Sequence, residues 1–299
     1  GVSRTTIWKH VNKLRVRGYR ITSVPHRGHR LETTPNVLLP EEVVLHLRTE
    51  RFGRDYRYLE ATESTNAIAS RLAEGGCAEG TVVVADAQSG GRGRLSRAWF
   101  SPLATNLYVS VVLRPAVSPV RASQMALVAA LSLRRAMVAL IPALNVSIKW
   151  PNDVLIEGRK VAGILCEMGA ELDRIRHLVI GVGVNVNVGQ DAFPADLVNQ
   201  ATSLAISSGA SVSRAGLLGE FLNELETAYV VWCEAGLGPF LAELRASSVL
   251  LGRRVMLNEL NRTLEGVAEG LSLNGALLLR LPDGELREVL CGDVHILDY

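Results

Sequence analysis

A glycine- and arginine-rich segment between two apolar runs constrains the fold of this chain more than any other feature. Residues 88–97 read Gln-Ser-Gly-Gly-Arg-Gly-Arg-Leu-Ser-Arg, with three arginines and no acid. The runs 81–85 and 106–113 on either side predict a buried strand and an alternating strand. Because glycine loses the most freedom on ordering, the loop has little rigidity of its own. We expect an anion to pair with the guanidinium groups and order it; the alternative is a solvated basic turn.

Neither common phosphate-binding loop accounts for this segment. The chain contains no G-x-x-x-x-G-K-[ST] sequence. The pattern Gly91-x-Gly93-x-x-Ser96 lacks the last glycine of the dinucleotide-binding motif, and a strand follows it instead of a helix.

Length and composition indicate one large domain with one or two small ones. The chain has 299 residues, of which 48% are hydrophobic. Its four cysteines are far apart and form no C-x-x-C motif, which argues against a disulfide framework or a zinc site. We see no signal peptide and no apolar run that approaches a membrane span, so we expect a soluble cytoplasmic protein with no membrane association.

Positive charge is concentrated at the N-terminus. Residues 1–31 carry eight Lys and Arg and no acid, although the net charge of the chain is only +2. The rest of the chain therefore carries −6. This asymmetry predicts an N-terminal segment that faces nucleic acid.

The N-terminal pattern resembles the recognition helix and wing of a winged helix-turn-helix. Ser3 is suited to cap a helix with Ile7, Val11 and Leu14 on one face, and residues 20–31 predict a basic β-hairpin. The residues expected to contact DNA are Arg4, Thr5, Thr6, Lys9 and Lys13. The two helices that precede a recognition helix in this fold are absent, so we expect weak or lost operator binding in this chain. A solvated basic helix is the alternative.

A second polar stretch runs from Lys149 to Gly163. Glu157-Gly158 predicts a two-residue hairpin turn, which places Leu155 opposite Lys160 and Asp153 opposite Ala162. Asp153 and Lys160 would then be diagonal neighbours on one face. A surface ion pair is the alternative to a site for phosphates and a metal.

The remaining patterns complete the architecture. Ser64 or Thr65 is suited to cap a helix that ends at Gly75-Gly76. Residues 177–188 predict an inner strand, with Asn185 and Asn187 on one face and at least one of them lining a cavity. From Leu250 onward, short strands and two hairpin turns, Asn274-Gly275 and Asp283-Gly284, predict a small β-barrel with no catalytic group of its own.

Four blocks in order resemble the bifunctional biotin protein ligase and biotin-operon repressor family. They are Glu63-Ser-Thr-Asn66; Gly91-Arg-Gly-Arg94 with Arg97 and Trp99; Lys149-Trp-Pro-Asn-Asp153 with Arg159-Lys160-Val-Ala-Gly163; and Gly181-Val-Gly-Val-Asn185. The resemblance covers essentially the whole chain. It implies an α+β fold: a partial winged helix-turn-helix over residues 1–35, a mixed-sheet catalytic domain over 36–248 and an SH3-like barrel over 249–299.

The resemblance implies a two-step reaction in which biotin and ATP give biotinyl-5′-AMP, and biotin then passes to a lysine of an acceptor protein. The implied catalytic residues are Lys160, Arg94, Arg97 and Lys149. The implied biotin-binding residues are Ser64, Thr65, Asn66, Gln88, Arg92, Gly93, Arg94, Trp99 and Lys160. ATP would contact Arg94, Arg97, Lys149 and Asn185, and Mg²⁺ would bind through Asp153.

The same resemblance implies the partners. They are the biotin carboxyl carrier protein of acetyl-CoA carboxylase, biotin operator DNA and a second copy of this chain when the adenylate is bound. Three other classes compete: a lipoate protein ligase, a repressor without enzymatic activity and a non-catalytic biotin-binding module. The Gly-Arg-Gly-Arg loop and the barrel argue against the first, and the combination of Lys149, Asp153 and Lys160 argues against the other two.

The sequence also departs from the family pattern. Ser96 and Ala104 stand where the family usually has glycine, and Leu95 stands where it often has a basic residue. Residues 199–203 contain no aromatic side chain to stack on adenine. These departures fall in segments expected to retain the intermediate and not on the residues assigned to the reaction.

Overall fold

The chain forms two compact units, Gly1–Val37 and Leu38–Tyr299. The computed structural model describes residues 2–25, 27–171, 174–259 and 262–297. Residues 33–40, Thr-Thr-Pro-Asn-Val-Leu-Leu-Pro, predict a linker, and the division between the units falls within them. The further boundary at residues 248 and 249 stays a prediction.

The N-terminal unit contains one helix and one hairpin. Helix α1 spans Arg4–Val16, and Ser3 Oγ accepts a hydrogen bond from Thr6 N, as predicted for its N-cap. Strands β1 (Arg20–Val24) and β2 (Gly28–Thr33) pair in antiparallel fashion. Arg15 donates to Ile21 O at 2.7 Å, which fastens α1 to the hairpin. His26, in the predicted basic tip, lies outside the described residues.

A seven-stranded sheet organises the larger unit. Its strands are β3 (Tyr56–Leu59), β4 (Val82–Ala85), β5 (Leu107–Leu113), β6 (Val146–Lys149), β7 (Asp153–Ile156), β8 (Arg159–Ala170) and β9 (Ile175–Val184). Their order is β3-β4-β5-β9-β8-β7-β6. Strands β3 and β4 are parallel, and the other described pairs are antiparallel. The predicted mixed sheet is confirmed.

Helices cover both faces of this sheet. The helices of the larger unit are α2 (Pro40–Val43), α3 (Thr65–Glu74), α4 (Gln124–Leu140), α5 (Leu204–Ser208), α6 (Arg214–Ala235) and α7 (Leu241–Ala246). Helix α3 packs on the face that carries Val83 and Val112, whereas α4 and α6 lie in the core cluster with Val82 and Val111. All seven residues of β5 are therefore buried, and the predicted one-sided alternation of this strand is wrong.

Helix α4 corrects one expectation about membranes. Together with the 3₁₀ turn before it, it gives a 22-residue segment, Pro119–Leu140, that is long and apolar enough to cross a membrane. Its best 18-residue window is 61% buried in the protein, and side chains such as Met125 and Leu131 are fully enclosed. The segment is a core helix in this fold.

The C-terminal residues form a five-stranded antiparallel sheet. Its strands are β10 (Arg254–Glu259), β11 (Arg262–Leu271), β12 (Leu277–Arg280), β13 (Leu286–Val289) and β14 (Asp293–Ile296). The predicted turn glycines Gly275 and Gly284 have φ of +81° and +88°, which favours glycine. Trp150 Nε1 donates to Gly275 O at 2.9 Å, so the small barrel is joined to the end of the large sheet.

Candidate active site

One cleft of about 1530 Å³ collects the predicted catalytic and ligand-binding residues of the larger unit. The thirteen are Ser64, Thr65, Asn66, Gln88, Arg92, Gly93, Arg94, Arg97, Trp99, Lys149, Asp153, Lys160 and Asn185, and all of them line it. They come from positions up to 121 residues apart in sequence. The structure therefore brings together what the sequence could only group by resemblance.

The β7–β8 hairpin places a cation and a carboxylate side by side. Lys160 Nζ lies 2.6 Å from Asp153 Oδ1. The pairing begins as predicted, with Leu155 opposite Lys160, but a bulge at Val161 shifts it by one residue. Asp153 therefore faces Gly163, and the predicted partner Ala162 is wrong. The predicted proximity of Asp153 and Lys160 is confirmed.

The backbone of Lys160 is held from a second direction. Lys160 N donates to Gln200 O at 2.8 Å, and Thr202 N donates to Lys160 O at 2.9 Å. Its ammonium lies 5.4 Å from the Trp99 ring centroid, a favourable cation–π geometry. The segment around residue 201 therefore fixes the base of the side chain while leaving its tip in the cleft.

The N-terminus of α3 forms a polar pocket at the cleft wall. Gln88 Oε1 accepts from Thr65 N at 2.8 Å, and Ser110 Oγ donates to Asn66 Oδ1 at 2.6 Å. Ser64 caps the helix by accepting from Ala67 N, as the simplest interpretation of its position predicts. A Cβ at Gly181 would overlap the Asn66 amide, so glycine is required there.

Sequence reasoning missed two members of this pocket. Ser110 lies at the centre of an otherwise apolar strand, and Glu167 Oε2 accepts from Asn66 Nδ2 at 2.7 Å. A fully buried hydroxyl in a run of valines marks a polar site, because a buried polar group needs a partner. Glu167 offered no comparable pattern.

The arginines of the loop have partners that the sequence did not predict. Arg97 forms a short ion pair with Asp293 of β14, and Arg92 lies 3.6 Å from Glu63. Arg94 donates to Asn152 Oδ1 and to Gly292 O, both at 3.3 Å. The expectation that these arginines are uncompensated is therefore wrong for Arg92 and Arg97. The barrel, which the sequence predicts to have no catalytic group of its own, supplies the partner of Arg97.

Asp293 remains an anion beside the loop. Partial burial opposes its ionisation, but the hydrogen bond and charge of Arg97 dominate and hold the pKa of the carboxyl below its usual value of 3.8. A carboxylate from the barrel thus neutralises one of the cations that the resemblance assigns to phosphate.

Two residues that replace family glycines keep a glycine-like backbone. Ser96 and Ala104 both have φ of +58°, and Leu95 has φ of +55°. A left-handed conformation costs a non-glycine residue about 1–2 kcal/mol. The backbone at these positions therefore keeps the positive φ that glycine favours, although a residue with a Cβ atom adopts it at a cost in energy.

Trp99 lies over the strands beneath the cleft. A Cβ at Gly163 would come within 3.1 Å of its ring, and a Cβ at Gly183 would overlap Nε1 and Cε2. Trp99 Nε1 is buried with no hydrogen-bond partner among the described residues. The two glycines therefore shape a flat slot for an aromatic ring.

Asn185 and Asn187 separate into two roles. Asn185 lines the cleft, as expected for at least one of the pair, whereas Asn187 Oδ1 accepts from Val212 N at 2.8 Å and fastens that segment. Two aromatic rings that the sequence argument missed, Phe100 and Phe193, line the same cleft with centroids 6.0 Å apart. They lie outside residues 199–203, the segment that lacks an aromatic side chain for adenine.

The five predicted DNA-contacting residues all lie in or at the start of α1. Arg4, Thr5, Lys9 and Lys13 are exposed, and Thr6 shares a 2.9 Å hydrogen bond with Ser3 Oγ. Ile7 is 44% exposed and Val11 is buried, so the predicted apolar face is only partly covered within this unit.

Three regions of the chain match known families. The biotin/lipoate A/B protein ligase family matches residues 58–185, the biotin protein ligase C-terminal domain matches 250–297, and an HTH domain matches 1–30. The three matches lie in the order that the resemblance implies.

Known proteins are similar over almost the whole chain. The bifunctional ligase/repressor BirA of Bacillus spizizenii is 37% identical, covering 99% of this chain and 90% of that protein. BirA of Escherichia coli is 30% identical over 99% and 89%. The structure of a biotin protein ligase from Aquifex aeolicus in complex with biotin and ATP superposes with a TM-score of 0.70 and 30% identity, covering 81% of this chain and 98% of that one.

The fold and the cleft thus define a ligase-type catalytic domain with an added HTH unit. The chain belongs to the biotin/lipoate A/B protein ligase family, and it shares all three matched regions with the bifunctional ligase/repressors.

Proposed function

We propose that this protein is an ATP-dependent biotin protein ligase. It forms biotinyl-5′-AMP from biotin and ATP, and then transfers biotin to a specific lysine of the biotin carboxyl carrier protein of acetyl-CoA carboxylase. The observation that carries this proposal is the convergence of Lys149, Lys160, Arg94 and Arg97 on one cleft beside a polar pocket.

The cations of the cleft reduce the repulsion between the two anions that react in the first step. A biotin carboxylate oxygen attacks the α-phosphorus of ATP, and the bond to the leaving pyrophosphate breaks. Two anions must approach each other, so positive groups placed where charge develops lower the barrier. Lys160 is assigned to the carboxylate and α-phosphate, and Lys149, Arg94 and Arg97 are assigned to the phosphates.

The polar pocket at α3 suits the head of biotin. Thr65, Asn66 and Gln88 present amide and hydroxyl groups at a largely buried helix N-terminus, which matches the donors and acceptors of a ureido ring. Arg92, Gly93 and Trp99 would cover the intermediate and exclude water, because a mixed anhydride hydrolyses readily.

In the second step the acceptor lysine amine attacks the acyl carbon of the mixed anhydride. The acyl–phosphate bond breaks, AMP leaves, and the amine loses one proton to solvent. The cleft is partly open to solvent, which would give the acceptor lysine access once the intermediate has formed.

The residues of the cleft fit Mg²⁺ delivered with ATP better than a dedicated protein cage. Among the described residues there is no group of three or more His, Cys, Asp or Glu that could hold a metal. Mg²⁺ normally keeps several waters and binds through phosphates and one or two carboxylates. Asp153 would hold the ion, which supplies charge neutralisation at the phosphates.

The test is incubation of the protein with biotin, Mg·ATP and the unmodified carrier protein. We expect pyrophosphate release, and a mass increase of one biotinyl group on the carrier that requires its acceptor lysine. A parallel reaction with lipoate should leave the carrier unmodified. Lipoate transfer, or the absence of both products, would contradict the proposal.

A second function as a biotin-responsive repressor is favoured by the N-terminal unit. Its helix and hairpin match an HTH domain and present Lys and Arg on the exposed faces of α1. Repressors bind DNA as dimers when two half-sites are read. We place homodimer formation in the adenylate-bound state, to be tested by sedimentation with and without biotin and ATP.

The sheet offers an edge that suits such a dimer. Strand β8 continues to Ala170, although its last described pairing with β7 is at Gly163. Met168, on this edge, is 45% exposed. An open strand edge pairs readily with a second strand.

The cellular location follows from the substrate and the cysteines. Because the reaction consumes ATP and the described cysteines are free, we place the protein in the cytoplasm.

A further inference from the structure

A buried ion pair, neither member of which lines the cleft, has no direct part in the chemistry above. Arg214, the first residue of α6, is 1% exposed, and its NH1 donates to Asp86 Oδ1 at 2.6 Å. Tyr58 donates to the other carboxylate oxygen at 2.6 Å. Burying two charges costs several kcal/mol per ion, and apolar residues of similar volume often serve stability as well. This pair therefore calls for a role beyond stability.

Hydrogen bonds lead from the pair to the cleft. Arg214 NH1 also donates to Asn106 O at 3.2 Å. The Asn106 side chain, itself fully buried, donates from Nδ2 to Asn185 Oδ1 at 3.3 Å and accepts from Val186 N at 3.0 Å. The guanidinium thus holds the backbone of the residue whose amide orients Asn185.

The same chain of contacts reaches the backbone of Lys160. Asn185 Nδ2 donates to Thr202 O at 3.1 Å, and Thr202 N donates to Lys160 O at 2.9 Å. Thr202 is fully buried and Asn185 is 4% exposed, so water does not compete for these bonds. Low local dielectric strengthens each bond and makes its loss costly.

We propose that Arg214 is a positioning residue for the adenylation step. Paired with Asp86, it holds Asn106, and through Asn106, Asn185 and Thr202 it sets the place of the Lys160 backbone and of the Asn185 side chain in the cleft. This inference rests on the proposed ligase function. A misplacement of about 1 Å at reacting groups can cost 10²-fold in rate, so a remote residue of this kind acts on catalysis through geometry.

The experiment compares Arg214→Met with Arg114→Met. Arg114 also serves structure through backbone carbonyls, donating to Ala73 O at 2.7 Å and Cys77 O at 3.0 Å, but it does not contact the cleft. Both variants should unfold at lower temperature. We expect kcat/KM for ATP in pyrophosphate release to fall about 10- to 100-fold in Arg214→Met and to stay within about 2-fold of wild type in Arg114→Met.

A second variant keeps the test informative if Arg214→Met does not fold. Asn106→Ala removes the hydrogen bond to Asn185 without leaving Asp86 unpaired. It should lower kcat/KM for ATP while changing KM for biotin little. The double variant should have a kcat/KM for ATP no lower than that of the poorer single variant, because both substitutions break the same series of hydrogen bonds to Asn185. Additive losses, or wild-type ATP kinetics in Arg214→Met and in Asn106→Ala, would overturn the positioning role.

Failure of this inference is distinguishable from failure of the proposed function. The wild-type protein is assayed in the same series with biotin and Mg·ATP. If it releases no pyrophosphate, the ligase assignment fails. If the wild type does release pyrophosphate, and folded Arg214→Met releases it with the same kcat/KM for ATP, only the inference about Arg214 is wrong and the ligase assignment stands.

Discussion

Nζ of Lys160 lies 2.6 Å from Oδ1 of Asp153, although a bulge at Val161 separates their strand positions. The bulge adds one residue to β8, so Lys160 stays on the face that meets Asp153 while the strand beyond it shifts. The carboxylate keeps the ammonium at the cleft and would compete with an arriving anion for it.

Lys160→Ala should abolish adenylate formation and leave the fold intact. The side chain is 36% exposed, lines the cleft and is not part of the hydrophobic core, so its loss leaves the core packing intact. Loss of one such charge contact costs about 3–4 kcal/mol of barrier, or 10²–10³ in rate. Pyrophosphate release measures the rate, and Arg174→Ala, which removes an exposed cation, is the control. Near wild-type release would remove Lys160 from the mechanism.

Trypsin should cut the loop at Arg92 and Arg94 faster without ligand than with biotin plus ATP. Within the protein the loop arginines have only two acidic partners among the described residues, Asp293 and Glu63, and ligand anions would add further partners. Asp293→Asn should increase the cutting rate without ligand, because it removes the charge that pairs with Arg97. Gel electrophoresis of timed digests gives the rates. Equal rates with and without ligand would show that binding does not order the loop.

The contribution of Asp293 to stability should depend on pH in one direction. Its folded pKa lies below the usual 3.8, so the stabilisation is complete above that value and is lost as the pH falls through the folded pKa. The difference in melting temperature between wild type and Asp293→Asn should therefore be constant from about pH 5 to 8 and shrink in stronger acid. A difference that grows on acidification would contradict the ion pair with Arg97.

Gly183→Ala should impair ligand binding through Trp99. The new methyl group would overlap the indole, so the ring and its loop must move. We expect weaker biotin and ATP binding by isothermal titration, with a fold that unfolds cooperatively. Gly189→Ala is the matched control, because its Cβ meets no atom within 4 Å and its φ is negative. Similar affinities for both variants would contradict the role of Gly183 in placing the Trp99 ring for ligand binding.

DNA association should be weak and sensitive to salt. Helix α1 buries little apolar surface within its unit, so its side chains are poorly braced against base edges. Lys9→Ala and Lys13→Ala should each reduce the salt dependence of non-specific binding by about one unit of slope. Gel shifts between about 50 and 200 mM salt measure this, with Arg174→Ala as the control. A sequence-specific complex that survives the higher salt would contradict the prediction of weak, non-specific association.

Much of the site could be predicted from sequence because its motifs are local. The Gly-Arg-Gly-Arg loop, the helix cap at Ser64 and the Lys149–Lys160 hairpin are each contained in a short stretch whose spacing predicts their structure. Thirteen candidate residues line one cleft, all but Asn185 from these stretches or directly beside them, and the predicted elements around them are present. Local propensity and turn chemistry are sufficient for such features.

The sequence by itself determined the elements, their order and the residue types that converge; only the tertiary structure decided which groups are partners. Asp293 reaches Arg97 across 196 positions, and Arg214 reaches Asp86 across 128. No periodicity predicts such pairs, because they form only when the barrel and α6 close over the sheet. The bulge at Val161 and the burial of β5 on both faces have the same origin. Register and exposure depend on what packs against a strand, and those neighbours are distant in sequence.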